Sequence, residues 1–260
     1  MPVHVTPMST VIVHFHTPEG FVIASDGRNT SPEGRVLSDE AQKIFPVNGP
    51  TVCLAFGLAG TIRIGTSSDQ VIFDFEKEAL AISGRLAQNA PKTWWDFVSA
   101  LARQLNDALN AARRLSGNTL STPTDTTIFI GGVYGKHLKS AHAVFRHQIA
   151  ASEAEPYLHP PGFHGPFGSK AVFDLIESKD SRFAQYSEPE RRNVSTLAGA
   201  VQRSINDVMA HCDPEALLVD EDKCRGIGGR IQIAQITFRD GFRWLPGYEP
   251  ATQRAAPLPA

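Results

Sequence analysis

The sequence has few cysteines and no long apolar segment. Its 260 residues include three cysteines, Cys53, Cys212 and Cys224, too few and too scattered for a disulfide framework or a zinc site of paired thiolates. Such sparse use of cysteine suits a reducing compartment. No run approaches the roughly 18 apolar residues of a membrane helix, and the first nine residues lack the basic and apolar regions of a secretory signal. We therefore expect a cytoplasmic protein with no membrane partner.

Neither sign of charge is in excess, because 25 Lys and Arg face 27 Asp and Glu, a formal net charge of −2. No basic patch is visible, so we expect no nucleic-acid partner. Hydrophobic residues make up 42% of the chain and charged residues 20%, which is typical of a folded globular protein and excludes a wholly disordered one. The length suits one large domain.

The histidines form no pattern of metal ligands. His14 and His16 share one strand face, and His159 and His164 share a segment rich in proline and glycine. A zinc site needs a third or fourth ligand at a defined spacing, as in HExxH or CxxC, and neither motif occurs. The sequence therefore predicts no metal and no other cofactor.

Hydrophobic periodicity divides the chain into separate runs of strands and helices. The predicted elements, in order, are strands at 10–15, 21–25 and 51–56, helices within 61–88 and at 94–115, strands at 126–133 and 141–146, a loop at 151–168, helices at 169–178 and 188–211, and a strand at 230–238. Segregated runs of this kind predict an α+β fold in which helices cover antiparallel sheets.

Four short segments at fixed spacing resemble the β-subunit of the proteasome. They are Thr10-Val-Ile-Val, a segment from Gly20 through Asp26-Gly-Arg28, Lys43-Ile-Phe, and Ala59-Gly60-Thr61. Sixteen positions separate Thr10 from Asp26, and 17 separate Asp26 from Lys43. On these motifs the chain is identified as a divergent, bacterial-type member of that family of N-terminal nucleophile (Ntn) hydrolases.

This resemblance implies a four-layer αββα sandwich, with two antiparallel sheets between layers of helices. It also implies a leader at residues 1–9, which self-cleavage between Ser9 and Thr10 would remove. The mature protein would then be a single domain at 10–246, followed by a flexible, Pro/Ala-rich tail at 247–260.

The chemistry that the resemblance assigns to these positions is physically reasonable. A threonine hydroxyl needs a base to become a nucleophile, and a free α-amine on Thr10, with an ordinary pKa of about 7.7–8, could serve as that base. Lys43 would disfavour protonation of the amine, and Asp26 would hold Lys43 in place. Gly60 would donate its backbone N–H to the oxyanion.

Further positions carry roles that the resemblance implies less directly. Asn29 and Leu58 match positions of the family's substrate pocket, and Ser169, which follows Gly168, matches a serine of the catalytic centre. The residue before the nucleophile, usually glycine in the family, is Ser9 here.

The segment before the last strand departs most from the family's pattern. Alignment on Gly228-Gly229 puts Cys224 and Ile227 where the family has an aspartate and a serine. Neither side chain can form the same hydrogen bonds. Asp222, two residues earlier, is the carboxylate that could replace the aspartate after a shift of the loop.

The resemblance thus implies a threonine-type endopeptidase that acts on peptides or unfolded proteins. It would work as a homo-oligomeric ring or stack of rings, with an ATP-dependent unfoldase as a candidate partner. Two alternatives remain. One is a non-catalytic subunit or scaffold of the same fold, in which Thr10 is never exposed. The other is an Ntn amidase that acts on a small amide.

Overall fold

The computed structural model describes residues 3–8, 10–31, 34–66, 71–116, 124–147, 151–187 and 195–251. The strands are, in order, β1 Val3–Met8, β2 Ile12–His16, β3 Phe21–Ser25, β4 Asn29–Thr30, β5 Val36–Ser38, β6 Ile44–Gly49, β7 Val52–Thr66, β8 Val71–Asp74, β9 Thr124–Tyr134, β10 His137–His147, β11 Ser152–His159, β12 His164–Phe167, β13 Gln232–Thr237 and β14 Gly241–Trp244. The helices are α1 Phe75–Gln88, α2 Trp94–Ser116, α3 Lys170–Glu177, α4 Leu197–Cys212, α5 Pro214–Val219 and α6 Glu221–Cys224, with a 3-10 helix at Ser181–Tyr186.

Two antiparallel sheets form the centre of the fold. The larger sheet has the order β1-β7-β9-β10-β11, and β6 and β8 also pair with β7. The smaller sheet has the order β12-β2-β3-β13-β14. The 15-residue strand β7 joins the other strands of the larger sheet. Its first half pairs with β6 and β9, and its second half pairs with β1 and β8.

Three apolar clusters define four layers. Side chains of both sheets, including Ile12, Phe21, Phe129 and Ile236, meet in one cluster between the sheets. A second cluster joins the outer face of the larger sheet to α1 and α2, and a third joins the outer face of the smaller sheet to α3, α4 and α5. Burial of apolar faces on both sides of each sheet stabilises this layering. The predicted αββα sandwich is confirmed.

The segment predicted as helical at 61–88 begins instead with sheet. β7 continues to Thr66, β8 follows, and α1 begins only at Phe75. Ile62 and Ile64 are buried while Arg63 between them is exposed, so this part of the chain has the period of two that is typical of a strand. A prediction from composition missed that alternation.

The segment at 151–168, predicted as a loop, contains β11 and β12. β11 is the outermost strand of the larger sheet and pairs with β10, with Pro156 opposite Ala143. Proline is tolerated in an edge strand because one side of that strand needs no ladder hydrogen bonds. The many Pro, Gly and His residues concealed the strands in the sequence.

Both ends of the chain, as far as they are described, are bonded to the sheets. The predicted leader forms β1, which pairs with β7 from Met8 opposite Gly60 to Val3 opposite Thr66. Near the other end, the Ile233 N–H donates to the Tyr248 carbonyl at 3.1 Å. Residues 252–260 lie outside the described residues.

The helix predicted at 188–211 begins at Leu197 in the structure, where Thr196 Oγ1 accepts from the Gly199 N–H. Residues 188–194 lie outside the described residues. No described helix is long and apolar enough to span a membrane.

Candidate active site

Thr10 lies between β1 and β2, where the chain passes from the larger sheet to the smaller one. Its exposed fraction is 2%. Met8 stands opposite Gly60 in the β1–β7 ladder, so the chain reaches Gly60 two residues before Thr10. Ser9, the predicted residue before the cleaved bond, lies outside the described residues. The pairing nevertheless brings the backbone before Thr10 alongside Gly60.

Thr10, Asp26 and Lys43 meet in a buried cluster. Lys43 Nζ donates to Thr10 Oγ1 at 3.0 Å and to both carboxylate oxygens of Asp26 at 2.9 Å. The side chains of Lys43 and Asp26 are both 0% exposed. Three residues that the sequence spacing singled out are therefore in direct contact, although they come from three different segments.

Asp26 is held by the backbone as well as by Lys43. Its Oδ1 accepts from the Val11 N–H at 3.1 Å, and its Oδ2 accepts from the N–H groups of Arg28 and Gly228, each at 3.2 Å. These bonds fix the carboxylate between β2, the turn after β3 and the loop before β13. Asp26 therefore orients Lys43 towards Thr10.

Burial lowers the pKa of Lys43, and the neighbouring Asp26 carboxylate opposes that shift. A buried ammonium is destabilised relative to its neutral form, so Lys43 releases its proton more readily than a lysine in water. A lysine in this state, within hydrogen-bonding distance of a hydroxyl, can take part in proton transfer to and from that hydroxyl.

Gly60 occupies a backbone position that only glycine can fill. Its φ is +88°, and a Cβ there would lie 2.3 Å from the carbonyl oxygen of Asp125. Both facts explain the glycine: the positive φ is strained for other residues, and β9 approaches closely. The sequence predicted Gly60 as an oxyanion donor, and the structure brings it next to the chain that leads to Thr10.

A buried chain of hydrogen bonds that the sequence did not reveal anchors Thr61, directly after Gly60. Arg113 Nη1 donates to Ser152 Oγ at 2.9 Å, Ser152 Oγ lies 3.4 Å from His147 Nδ1, and His147 Nε2 lies 3.0 Å from Thr126 Oγ1. Thr126 Oγ1 donates to the Thr61 carbonyl. Burial, assisted by Arg113, lowers the pKa of His147 to about 4, so this histidine is neutral near pH 7.

Ser169, another predicted site residue, is buried at the start of α3 and donates from Oγ to Asp220 Oδ2 at 2.6 Å. Asp220, which the sequence did not single out, caps α6 through its other oxygen. Asp222, predicted as the substitute for the family's aspartate, is exposed, and Asp220, two residues earlier, is the carboxylate that contacts Ser169. Cys224 is buried in the apolar cluster of the smaller sheet.

Replacement of Asp220 by asparagine should lower any activity of this site by about tenfold, because Ser169 loses a charge-assisted hydrogen bond and its Oγ is no longer held in one direction. Asp222→Asn is the matched control and should leave activity unchanged, since Asp222 is exposed. Turnover of a fluorogenic peptide by both variants and the wild type checks this. Equal effects of the two substitutions would contradict the assignment.

Asn29 and Leu58, predicted to lie in a substrate pocket, line one cavity of about 230 Å³. The same cavity is lined by Lys43, so it lies beside the Thr10 cluster. Its remaining lining residues are Ala41, Gln42, Phe45, Ile62, Arg63 and Glu76. The two predicted pocket residues are thus brought together with the candidate catalytic lysine.

The cysteines near this site are poor nucleophiles. Burial raises the pKa of Cys212 to about 12, with the Asp26 charge adding to the shift. Burial likewise raises the pKa of Cys224 to about 11. Both thiols are therefore protonated near neutral pH, and a protonated thiol is a poor nucleophile. Within the described ranges, no group of three or more His, Cys, Asp or Glu side chains could hold a metal ion.

Solved structures of similar fold cover most of the chain. An Anbu (Gly-1) mutant from Hyphomicrobium sp. strain MC1 matches with a TM-score of 0.51 and 13% identity, over 92% of this chain and 88% of that chain. Anbu (ancestral beta-subunit) from Yersinia bercovieri matches with a TM-score of 0.51 and 11% identity, again over 92% and 88%. These matches show a shared, proteasome-like fold.

No protein-family model matches the chain, and no curated protein matches it. The identification of the chain as a member of the proteasome β-subunit family is therefore wrong, since identities of 11% and 13% show a likeness of fold alone. The short motifs that led to it lie where strands and turns meet around one buried cluster. Such local segments identify the architecture without showing descent from the family.

Proposed function

We propose that the chain is a threonine-type peptidase whose nucleophile is Thr10 Oγ1. The observation that carries the proposal is the 3.0 Å contact of Lys43 Nζ with Thr10 Oγ1, inside a fully buried ion pair with Asp26 at 2.9 Å. A buried charge pair that ends on a threonine hydroxyl is costly to maintain for packing alone. Strongly coupled, buried ionisable groups of this kind concentrate at functional sites.

Self-cleavage is the first reaction in this proposal. Thr10 Oγ1 attacks the Ser9 carbonyl carbon and gives up its hydroxyl proton, while the Lys43 ammonium stays paired with Asp26 beside it. The C–N bond between Ser9 and Thr10 breaks, the proton passes to the departing nitrogen, and an ester joins Ser9 to Thr10 Oγ1. Water then hydrolyses the ester, which releases residues 1–9 and leaves Thr10 with a free amine and a free hydroxyl.

Peptide hydrolysis then follows the same path with a substrate in place of the leader. The Thr10 amine accepts the hydroxyl proton, and the charge of Lys43 disfavours a protonated amine beside it. The Gly60 N–H is the proposed donor to the oxyanion, and loss of such a donor in other hydrolases costs roughly 3 kcal/mol. The cavity lined by Asn29 and Leu58 would receive a side chain of the peptide or unfolded-protein substrate.

Removal of the leader tests this proposal directly. The purified protein should lose nine residues and give a mature chain of 251, since 260 − 9 = 251. Intact-mass spectrometry after prolonged incubation checks the mass, and N-terminal sequencing of the mature chain identifies the cleaved bond. A chain that keeps Met1 to Ser9 throughout would count against an active enzyme.

We also propose that the protein works as a homo-oligomeric ring or stack of rings, which an ATP-dependent unfoldase could supply with substrate. Several large apolar side chains are exposed on the helices of the chain, namely Trp95, Leu115, Met209, Leu217 and Leu218. Exposed apolar surface favours association, and closed symmetric assemblies are its usual outcome. Light scattering at micromolar concentration should give a mass many times 28.3 kDa, and a monomer would contradict this.

A non-catalytic subunit is the second candidate, and one observation favours it. The leader strand pairs with β7 over six residues, and Thr10 is 2% exposed. A leader that stayed paired would keep Thr10 permanently buried. This candidate predicts that oligomers form with an unprocessed chain, which the same mass measurement distinguishes.

A further inference from the structure

The cavity beside Lys43 is lined by both apolar and charged residues. Ala41, Phe45, Leu58 and Ile62 form the apolar part, while Arg63 and Glu76 add charge. Its volume of about 230 Å³ suits one large side chain rather than a whole peptide. The charges at its lining therefore determine which side chain it accepts.

Two of the three charges on the lining are already compensated. Lys43 is paired with Asp26 at 2.9 Å, and Arg63 Nε is paired with Asp74 Oδ2 at 2.8 Å across β7 and β8. Glu76, in the first turn of α1, forms no ion pair within the part of the chain that the structure describes. The lining thus carries one negative charge that has no ion-pair partner among the described residues.

A second acceptor belongs to another residue of the cavity lining. Asn29 Oδ1 is buried and receives no hydrogen bond from the described residues, and Asn29 lines the cavity together with Glu76. A buried acceptor without a donor costs free energy, which a ligand that brings the donor recovers. Burial and the nearby Asp74 also raise the pKa of Glu76, and the opposing charge of Arg63 does not cancel that shift.

We propose that this cavity binds the side chain on the acyl side of the scissile bond and selects arginine there, which rests on the proposed peptidase function. The aliphatic stem of arginine would pack against Leu58 and Ile62, as long basic side chains do on apolar surfaces. Its planar guanidinium would donate to Glu76 and to Asn29 Oδ1 together.

Other side chains should fit the cavity less well than arginine. An acidic side chain would be repelled by Glu76 and would not supply a donor to Asn29 Oδ1. A leucine would fill the apolar part but leave both acceptors unpaired, and sites built to hydrogen-bond a ligand discriminate strongly against analogues that lack the donor. Lysine brings a positive charge but lacks the planar, forked guanidinium group that can donate to two separated acceptors.

Two measurements on the full chain test the proposal separately from the chemistry. The first is equilibrium binding of fluorescent tripeptides that end in Arg, Leu or Glu, which resemble reaction products and need no turnover. The wild type should bind the Arg peptide about tenfold more tightly than the Leu peptide, and Glu76→Gln should remove that preference. Glu78→Gln is the matched control, since Glu78 lies in the same turn of α1 but lines a different groove.

The second measurement is kcat/KM for the matching amide substrates. Glu76→Gln should lower the value for the Arg substrate by about tenfold and leave the Leu substrate within a factor of about two. Equal binding of the Arg and Leu peptides by the wild type, no binding of the Arg peptide at millimolar concentration, or a preference for Arg that survives Glu76→Gln would overturn the proposal. Selective binding of the Arg peptide without any turnover would support the cavity's preference and contradict the peptidase function instead.

Discussion

Thr10→Ala should abolish both the release of residues 1–9 and all peptide hydrolysis, a loss of at least about a thousandfold in turnover. The substitution removes the hydroxyl that Lys43 Nζ contacts at 3.0 Å, and alanine offers no other nucleophile. The buried thiols of Cys212 and Cys224 cannot replace it, because burial raises their pKa values to about 12 and about 11.

Two further variants make this result specific. Thr10→Val keeps the branched shape of the side chain without its hydroxyl and should be as inactive as alanine. Thr10→Ser keeps the hydroxyl and should retain part of both reactions. Intact mass reports the leader, a fluorogenic peptide reports turnover, and thermal unfolding confirms that the fold is intact. Turnover of Thr10→Val near the wild-type value would show that another residue is the nucleophile.

The spacing in the sequence singled out Thr10, Asp26 and Lys43, and each of them sits at the end of a strong local pattern. Thr10 begins the alternating strand before Phe15, Asp26-Gly27 follows the strand that ends at Ser25, and Lys43 precedes the apolar pair of Ile44 and Phe45. Strand ends in a compact sandwich lie close to one another, so the spacing of such residues carries information about their contact.

The rest of the site depends on contacts that no local pattern reveals. Ser169 Oγ donates to Asp220 across 51 positions, and the Lys43 N–H donates to Gln232 Oε1 across 189. His147 and Thr126 are joined only because β9 and β10 pair in one register. Asp220 also caps a four-residue helix, α6, which is too short to give a periodic signal. Alignment by the glycine pair therefore pointed to Cys224 and Ile227, with Asp222 as the nearby carboxylate, and it did not single out Asp220.

The fold itself was predicted more completely than the site, since burial of apolar faces produces period-two and helical patterns over many residues. The errors at 61–74 and 151–168 have a common cause. The first contains the end of β7 and the short strand β8 of the larger sheet, and the second contains two edge strands, β11 of the larger sheet and β12 of the smaller one. Both also contain residues that are common in loops. Edge strands need fewer buried side chains, so their alternation is weak.

Lys43→Ala should be nearly as damaging as loss of the nucleophile, and it should also destabilise the fold. Asp26 would keep its three backbone donors but lose the cation that compensates its charge in a site with 0% exposure. Breaking a buried pair by removing one partner costs about 3 kcal/mol or more. We therefore expect a lower free energy of unfolding by about that amount and a loss of turnover of at least about a hundredfold.

The variants around this pair separate charge from packing. Lys43→Met keeps most of the side-chain volume and should be as inactive as Lys43→Ala, because it lacks the proton donor at Thr10 Oγ1. Asp26→Asn leaves Lys43 without its carboxylate, and since burial already lowers the pKa of Lys43, that pKa should fall further. A lysine that loses its charge in this variant cannot disfavour protonation of the Thr10 amine, so the pH profile of residual turnover should shift towards higher pH.

The exposed pair of Arg146 and Glu155 provides the control for these substitutions. Its side chains are 46% and 51% exposed, and exposed ion pairs contribute little because solvent screens them. Arg146→Ala should therefore leave both turnover and the free energy of unfolding close to the wild type. Denaturant unfolding and peptide turnover, measured on all variants together, decide the matter. If Lys43→Met folded normally and kept near wild-type turnover, Thr10 would be activated without Lys43, and the buried pair would be a structural feature of the sandwich rather than part of its chemistry.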